Sequence, residues 1–389
     1  MIGGILLSVG LGCTSSSPDP GLLLVLTDGI RGDRIGRPLH SSAAPQLTEL
    51  ARAGTRFDRM YATSTSAPST MATVFSGQLP MVHGERGSAP VNRFDTADWW
   101  FKGTVSSFES SPSDLWSSLA DIEPAVDGQS PVDLRVVGLP VLGRTQAAHR
   151  YDAALQEADD RIGSMVNDWR VGHPRGTVVI VGLRGALAEA RFDAELGLTD
   201  DWLHVPLIIV GPSIPVGWSV SDPVSAVDVG TWLGQQVGSG RKGVGQNPLH
   251  GGSEYAYHES VLGAERFGSV RLEGFTAVDG RFVYGTYGEW YSHHESAVRP
   301  YPDPVSNHTD HRETLRLITG RTEPSVLDAD AVDPRALSGA MTLVNKAQNA
   351  LQKNRLGAAK RITERLSQTH PKAPAVRRLE ASIAVLDAD

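Results

Sequence analysis

Hydrophobic and polar positions along this chain fall into two alternating textures. Continuous apolar runs of strand length occur at 21–28 (GLLLVLTD), 177–181 (TVVIV) and 205–211 (VPLIIVG), the pattern of strands buried on both faces of a parallel sheet. Between them lie segments with apolar residues at helical spacing. APQLTELARAG (44–54) ends in Gly54, and SAPSTMATVFSG (66–77) can hold Pro68 in its first turn and close at Gly77. The segment 148–170 puts Tyr151, Leu155, Ala158, Ile162 and Met165 on one face of a long helix. Strands alternating with helices predict an α/β fold with a mainly parallel sheet flanked by helices.

Two stretches depart from this texture. Residues 88–130 are poor in periodicity and rich in Ser, Asp and Pro, and are read as loops with short elements. From about 253 to 320 a Tyr-rich alternation, FTAVDGRFVYGTYGEWY, predicts a small antiparallel C-terminal sheet with a turn at Asp279-Gly280. Past 334 the chain is helical, with a break at Pro371. Ala359 and Pro371 stand twelve apart, as in a tetratricopeptide (TPR-like) hairpin. One repeat cannot bury a core alone, so the tail at 334–389 either docks on the main domain or takes a protein partner. The domains are thus a leader and tether at 1–20, an α/β domain at 21–320 and a helical tail.

With 389 residues, 40% of them hydrophobic, the chain can bury one large core and a smaller one. A net charge of −8, and no run of five basic residues, argues against nucleic acid as a partner. The single cysteine, Cys13, follows the apolar run MIGGILLSVGLG and precedes TSSSPDP. The run is too short to span a bilayer but fits a signal peptide. Gly12 before Cys13 and the Ser/Pro tether after it resemble a bacterial lipoprotein signal. Leu11 stands at −2 instead of −3, and no Lys or Arg precedes the run. The expectation is a lipoprotein of the bacterial cell envelope, extracytoplasmic and held to the membrane by lipid on Cys13, or else a secreted periplasmic protein.

Three segments carry candidate chemistry: TDGIRGDRIG (27–36), SAPSTMATVFSGQLPMVHG (66–84) and LHVPLIIVGPSIPVG (203–217). Together, and with the helix ending Asp160-Arg161-Ile162-Gly163, they resemble the sulfatases of the alkaline phosphatase superfamily. The resemblance implies metal-dependent hydrolysis of sulfuric or phosphoric esters. It puts Asp28 on a metal-ligand position and Ser66 on the nucleophile or formylglycine position. In such families the strand matching TVVIV is followed by Ser-Asp-His-Gly, whose Asp and His bind the metal. Aligned on Gly185, those positions are Leu183 and Arg184 here. The substrate-holding Arg of the nucleophile motif is Thr70, the position after Asp28 is Gly29, and the segment 135–144, where histidines are expected, has none.

A hard cation takes six to eight oxygens, and the matched positions offer Asp28 and Ser66. No cofactor is therefore expected, with calcium or magnesium if the site is active. Ser66 can also be a plain N-cap, and Asp28 a cap of the turn after its strand. Arg184 can bind a sulfate or phosphate group, or pair with Asp28. His204 can face the same pocket. His293, His294, His308, Asp310 and His311 read as a solvated loop rather than ligands. Three functions follow: a decayed hydrolase left with a binding or scaffolding role, a working ester hydrolase using Ser66, or an adaptor acting through the tail.

Overall fold

In the computed structural model, the described residues are 21–35, 43–86, 101–102, 123–124, 132–138, 148–186, 198–238, 243–260, 262–268, 272–277, 280–284, 290–293, 303–304, 308–320 and 337–388. Cys13, His294 and the segment 139–144 lie outside them.

The main sheet has six strands in the order β6 (Val132–Gly138), β1 (Leu22–Asp28), β7 (Thr177–Arg184), β8 (Leu207–Val210), β2 (Thr55–Phe57) and β9 (Trp218–Val220). β1 pairs in parallel with both β6 and β7, and β8 alone runs against its neighbours. Alternation along β1 divides the core. Leu22, Leu24 and Leu26 face a cluster containing Met71 and Phe75 of α2 (Ala67–Ser76), and Leu23 and Val25 face one built with α1 (Pro45–Ala53) and α4 (Ala148–Gly172). Both faces of the sheet are covered, which is why its central strands read as unbroken apolar runs. Val166 and Trp169 complete the buried stripe of α4, and Met165 packs half-buried against the same cluster.

α1 has no capping side chain of its own at Ala44. Asp159 of α4 supplies it, accepting hydrogen bonds from the Gln46 and Leu47 N–H groups at 2.8 Å each. Short elements complete the α/β body: β3 (Met60–Tyr61) paired with β10 (Val224–Ser225), β4 (Phe101–Lys102) with β5 (Glu123–Pro124), α3 (Pro80–His83), α5 (Asp200–Leu203) and α6 (Ala226–Gln236).

The second sheet is an antiparallel meander, β11 (Ala256–Ser260), β12 (Leu272–Ala277), β13 (Gly280–Tyr284), β14 (Trp290–His293) and β15 (Asp303–Pro304). Gly280 pairs with Ala277, so it is a ladder residue and not part of a turn centred on Asp279-Gly280. The solvated loop expected around His308, Asp310 and His311 is instead the start of α8 (His308–Thr319). Leu315 is buried and Ile318 packs beside it against the small sheet, an i, i+3 pair that the polar flanks conceal in the sequence.

The tail is three helices, α9 (Ser338–Gln352), α10 (Leu356–Thr369) and α11 (Pro374–Ala388), around a cluster containing Val344, Leu366 and Val376. It docks on α7 (Leu262–Phe267): Phe267 packs on that cluster, and the Arg266 guanidinium donates to Asn345 at 3.2 Å. Among the described residues no helix is long and apolar enough to cross a membrane.

Candidate functional site

The carboxyl end of the main sheet is shaped by one irregularity. Thr27 pairs with Gly182, but Asp28 pairs with Arg184, so Leu183 is an extra residue in β7. Such a bulge re-aims the side chains on either side of it. Leu183 turns into the α2-side core and is fully buried. Arg184 turns over the end of β1, where Nε donates to Asp28 Oδ1 at 2.8 Å and Nη2 to Oδ2 at 3.2 Å. The pair is bidentate, with Arg184 31% and Asp28 12% exposed, and the guanidinium lies 5.7 Å from the Trp202 ring centre. Two glycines make this approach possible. Gly29 has φ +89°, open to glycine at little cost, and its N–H donates to the Arg184 carbonyl. A Cβ on Gly185 would sit 2.0 Å from the Asp201 carbonyl oxygen.

Ser66 is 4% exposed at the N-cap of α2, with extended backbone. It has the position expected of a cap but not the bond, because its side chain makes no capping hydrogen bond. Its N–H donates to Ser64 Oγ, and its carbonyl accepts from Thr70 N–H. Thr70 is buried and donates its hydroxyl back to the Ser64 carbonyl at 3.2 Å. The whole approach to α2 is held against β11: Glu259 N–H donates to the Thr63 carbonyl, and Thr65 N–H to the Glu259 carbonyl.

A charge network lies beside Asp28. Arg31 forms two 2.8 Å hydrogen bonds with Asp33 and contacts Asp201, while Tyr151 accepts from the Arg31 N–H and donates to the Gly29 carbonyl. Burial works to raise the Asp33 pKa, but the Arg31 hydrogen bond, the Arg31 charge and His204 together hold it below the usual range. His204 Nε2 lies 2.9 Å from the Asp58 carbonyl, which it can meet only as a donor, and its ring tilts on Tyr61. His204 is thereby wedged against Gly32, whose added Cβ would lie 2.8 Å from the ring.

Sequence reasoning missed a second cluster. Arg86 Nε donates to both Glu259 oxygens at 3.0 Å, its Nη2 reaches Glu273 at 3.3 Å, and Tyr257 donates to Glu259 at 3.1 Å. Glu259 is fully buried and directly opposite Glu273 in the ladder. The available signal was a glutamate inside each of two strand-like runs, AYHES and LEGFTA. Close by, His83 accepts the Glu85 N–H at Nδ1, which leaves Nε2 to donate to Thr73 Oγ1 at 3.0 Å. Burial, then the Arg86 charge, pushes His83 down to about 3.

Among the described residues no three His, Cys, Asp or Glu side chains converge as cation ligands. Asp28, the matched ligand position, has both oxygens on a guanidinium. A cation about 4 Å from that guanidinium would meet repulsion of about 4 kcal/mol per unit charge at an effective dielectric of ~20. The described residues around Asp28 do not fit the divalent ion that the resemblance implies.

No family model and no curated sequence matches the chain. Solved structures do. The crystal structure of Ps i-CgsB aligns with a TM-score of 0.55 at 13% identity, covering 84% of this chain and 98% of that one. The same protein is also known in complex with k-i-k-neocarrahexaose. BT1596, a 2-O GAG sulfatase, aligns at 0.50 and 14%, covering 77% and 90%. A protein in the alkaline phosphatase superfamily from Vibrio parahaemolyticus aligns at 0.51 and 15%, covering 86% and 88%. The fold is that of the sulfatases. Identities this low establish that sulfatase and alkaline phosphatase fold alone, as the three sequence segments implied.

Proposed function

We propose that this chain is a sulfatase-fold protein of the cell envelope that has lost ester hydrolysis and kept a binding role. The observation that supports it most is the Arg184–Asp28 pair: a fixed positive charge occupies the two oxygens a metal would need. Without a Lewis acid, a serine hydroxyl is not acidified for attack, and the His83 Nε2 proton is directed to Thr73 rather than to Ser66.

The proposed ligand carries a sulfate or phosphate group. The hexaose bound by the similar Ps i-CgsB supports a saccharide as its class. Arg184, partly exposed at the sheet's end, is proposed to meet the anion by exchanging Asp28 for it, since a guanidinium binds either oxyanion in the same two-pronged way. Lipid on Cys13 is proposed to hold the protein at the membrane.

The competing reading is a working hydrolase with Ser66 as nucleophile or formylglycine precursor. It draws on the place of Ser66 at the start of α2, the matched nucleophile position. Assays with aryl sulfate and aryl phosphate separate the two. The expected result is no turnover above that of Ser66→Ala. Turnover abolished by Ser66→Ala, with a mass change at Ser66 if formylglycine is formed, would establish the hydrolase.

A further inference from the structure

The amino end of the main sheet, opposite the site above, gathers features that the proposed binding site does not use. β7 enters beside the first described residue, where Thr177 N–H donates to the Gly21 carbonyl at 2.9 Å. Trp169 and His173 stack at 4.5 Å beside this point, close enough that a Cβ on Gly21 would strike His173. Because β8 runs against its neighbours, its end and the loop 211–217 return to the same edge. A Cβ on Gly211 would lie 2.6 Å from Thr177 Oγ1. α1 ends here too, with the Arg52 carbonyl 3.9 Å from where a Gly217 Cβ would stand. A groove of about 450 Å³ runs between α1 and the C-terminal part of α4, and Arg52 and Arg170 line the end of it nearest this edge.

Along this edge three large apolar side chains face water: Val171 at 86% exposure, Val216 at 75% and Trp218 at 59%. Val171 stands at the end of α4, Val216 lies in the loop 211–217 and Trp218 opens β9, while Arg52, Arg170 and Arg175 stand on α1, on α4 and just after α4. Glu49 and Asp168 oppose them, which leaves a small basic excess on a chain whose net charge is −8. Cys13 lies eight residues before Gly21, a stretch that spans at most about 28 Å when fully extended.

We propose that this edge rests on an anionic lipid bilayer, with Val171, Val216 and Trp218 entering the headgroup layer and the three arginines meeting lipid phosphates. Single apolar residues beside a tryptophan, set among arginines, suit the wet and apolar boundary of a membrane. A partner protein would instead ask for a contiguous patch of about 800 Å². The inference rests on the reading of Cys13 as the anchor, because the tether is what brings this edge to the membrane.

The test uses the full chain carrying Cys13→Ser, so that no lipid assists it. It should sediment with vesicles of equal parts phosphatidylglycerol and phosphatidylethanolamine, and not with phosphatidylcholine vesicles. Arg170→Gln and Arg175→Gln should each weaken binding about fivefold, and Val171→Asp with Trp218→Asp should abolish it. All four side chains touch solvent, so unchanged thermal midpoints check the fold. Absence of binding by the parent, or equal binding by parent and variants, would overturn the proposal. So would a dimer in ultracentrifugation that the same variants dissociate, since a second copy would then own the edge. Intact-mass analysis of wild-type protein extracted from membranes tests the anchor separately: an unmodified Cys13 refutes the anchor and leaves the vesicle result standing.

Discussion

Two arginines in this protein grip carboxylates, and their surroundings give them different work. Arg86 is 13% exposed and holds the fully buried Glu259, joining the segment after α3 to the small sheet. Arg184 is 31% exposed and holds Asp28 at the open end of the main sheet. The first pair is locked inside the body, where removing one partner strands a charge. The second touches solvent, where water can replace what is lost. Burial, more than bond geometry, separates a structural ion pair from one able to exchange its partner for a ligand.

The largest effect should come from Arg86→Ala, which leaves the fully buried Glu259 without the guanidinium that binds both its oxygens. A loss of about 3–5 kcal/mol is expected in urea unfolding, and a loss under about 1 kcal/mol would erase the contrast between the pairs. Next comes acid sensitivity from His83. Its folded pKa, about 3, lies below the unfolded value of about 6.5. The unfolded chain therefore binds the extra proton, and stability falls as pH drops from about 6.5 towards about 3, by up to about 1.4 kcal/mol per unit. His83→Gln should flatten that part of the stability-versus-pH curve; an unchanged slope would show that other groups govern it.

Arg184→Ala should cost less, about 1–2 kcal/mol, because both partners are reached by water. It should also weaken binding of sulfated saccharides at the sheet's end. A stability loss as large as that of Arg86→Ala would make Arg184 a structural residue and leave the anion site without its cation. Smallest of all is Ser66→Ala. An N-cap that makes its hydrogen bond contributes about 0.5–2 kcal/mol; the Ser66 side chain makes no capping bond, so the helix end itself should lose less than about 0.5 kcal/mol. A larger change would mean that the hydroxyl caps α2 in solution.

What was legible in the sequence was whatever local pattern decides. The apolar runs became β1, β7 and β8, and Pro68 and Gly77 bound α2 at the expected ends, the latter with φ +62°. The motif segments at 27–36, 66–84 and 203–217 carried the sulfatase-like fold. Illegible were features fixed by meetings between distant segments. Asp159 caps α1 from 113 residues away, and Arg86 finds Glu259 across 173. Neither leaves a periodic trace. The direction of Leu183 could not be read either, because it depends on a one-residue bulge between β1 and β7. Alignment makes Leu183 and Arg184 two lost ligands; the bulge sends one into the core and the other onto Asp28. The α8 helix was hidden for a simpler reason: its polar opening, His308 to Arg312, outweighs the two apolar contacts that hold it.

The central claim is that a guanidinium, and not a metal ion, answers the charge of Asp28. Elemental analysis of the full-length protein, equilibrated with calcium and magnesium and then freed of loosely held ions, tests it most directly. The account predicts no stoichiometric metal, and no difference between wild type and Asp28→Ala. One calcium or magnesium per chain, lost in Asp28→Ala, would contradict it.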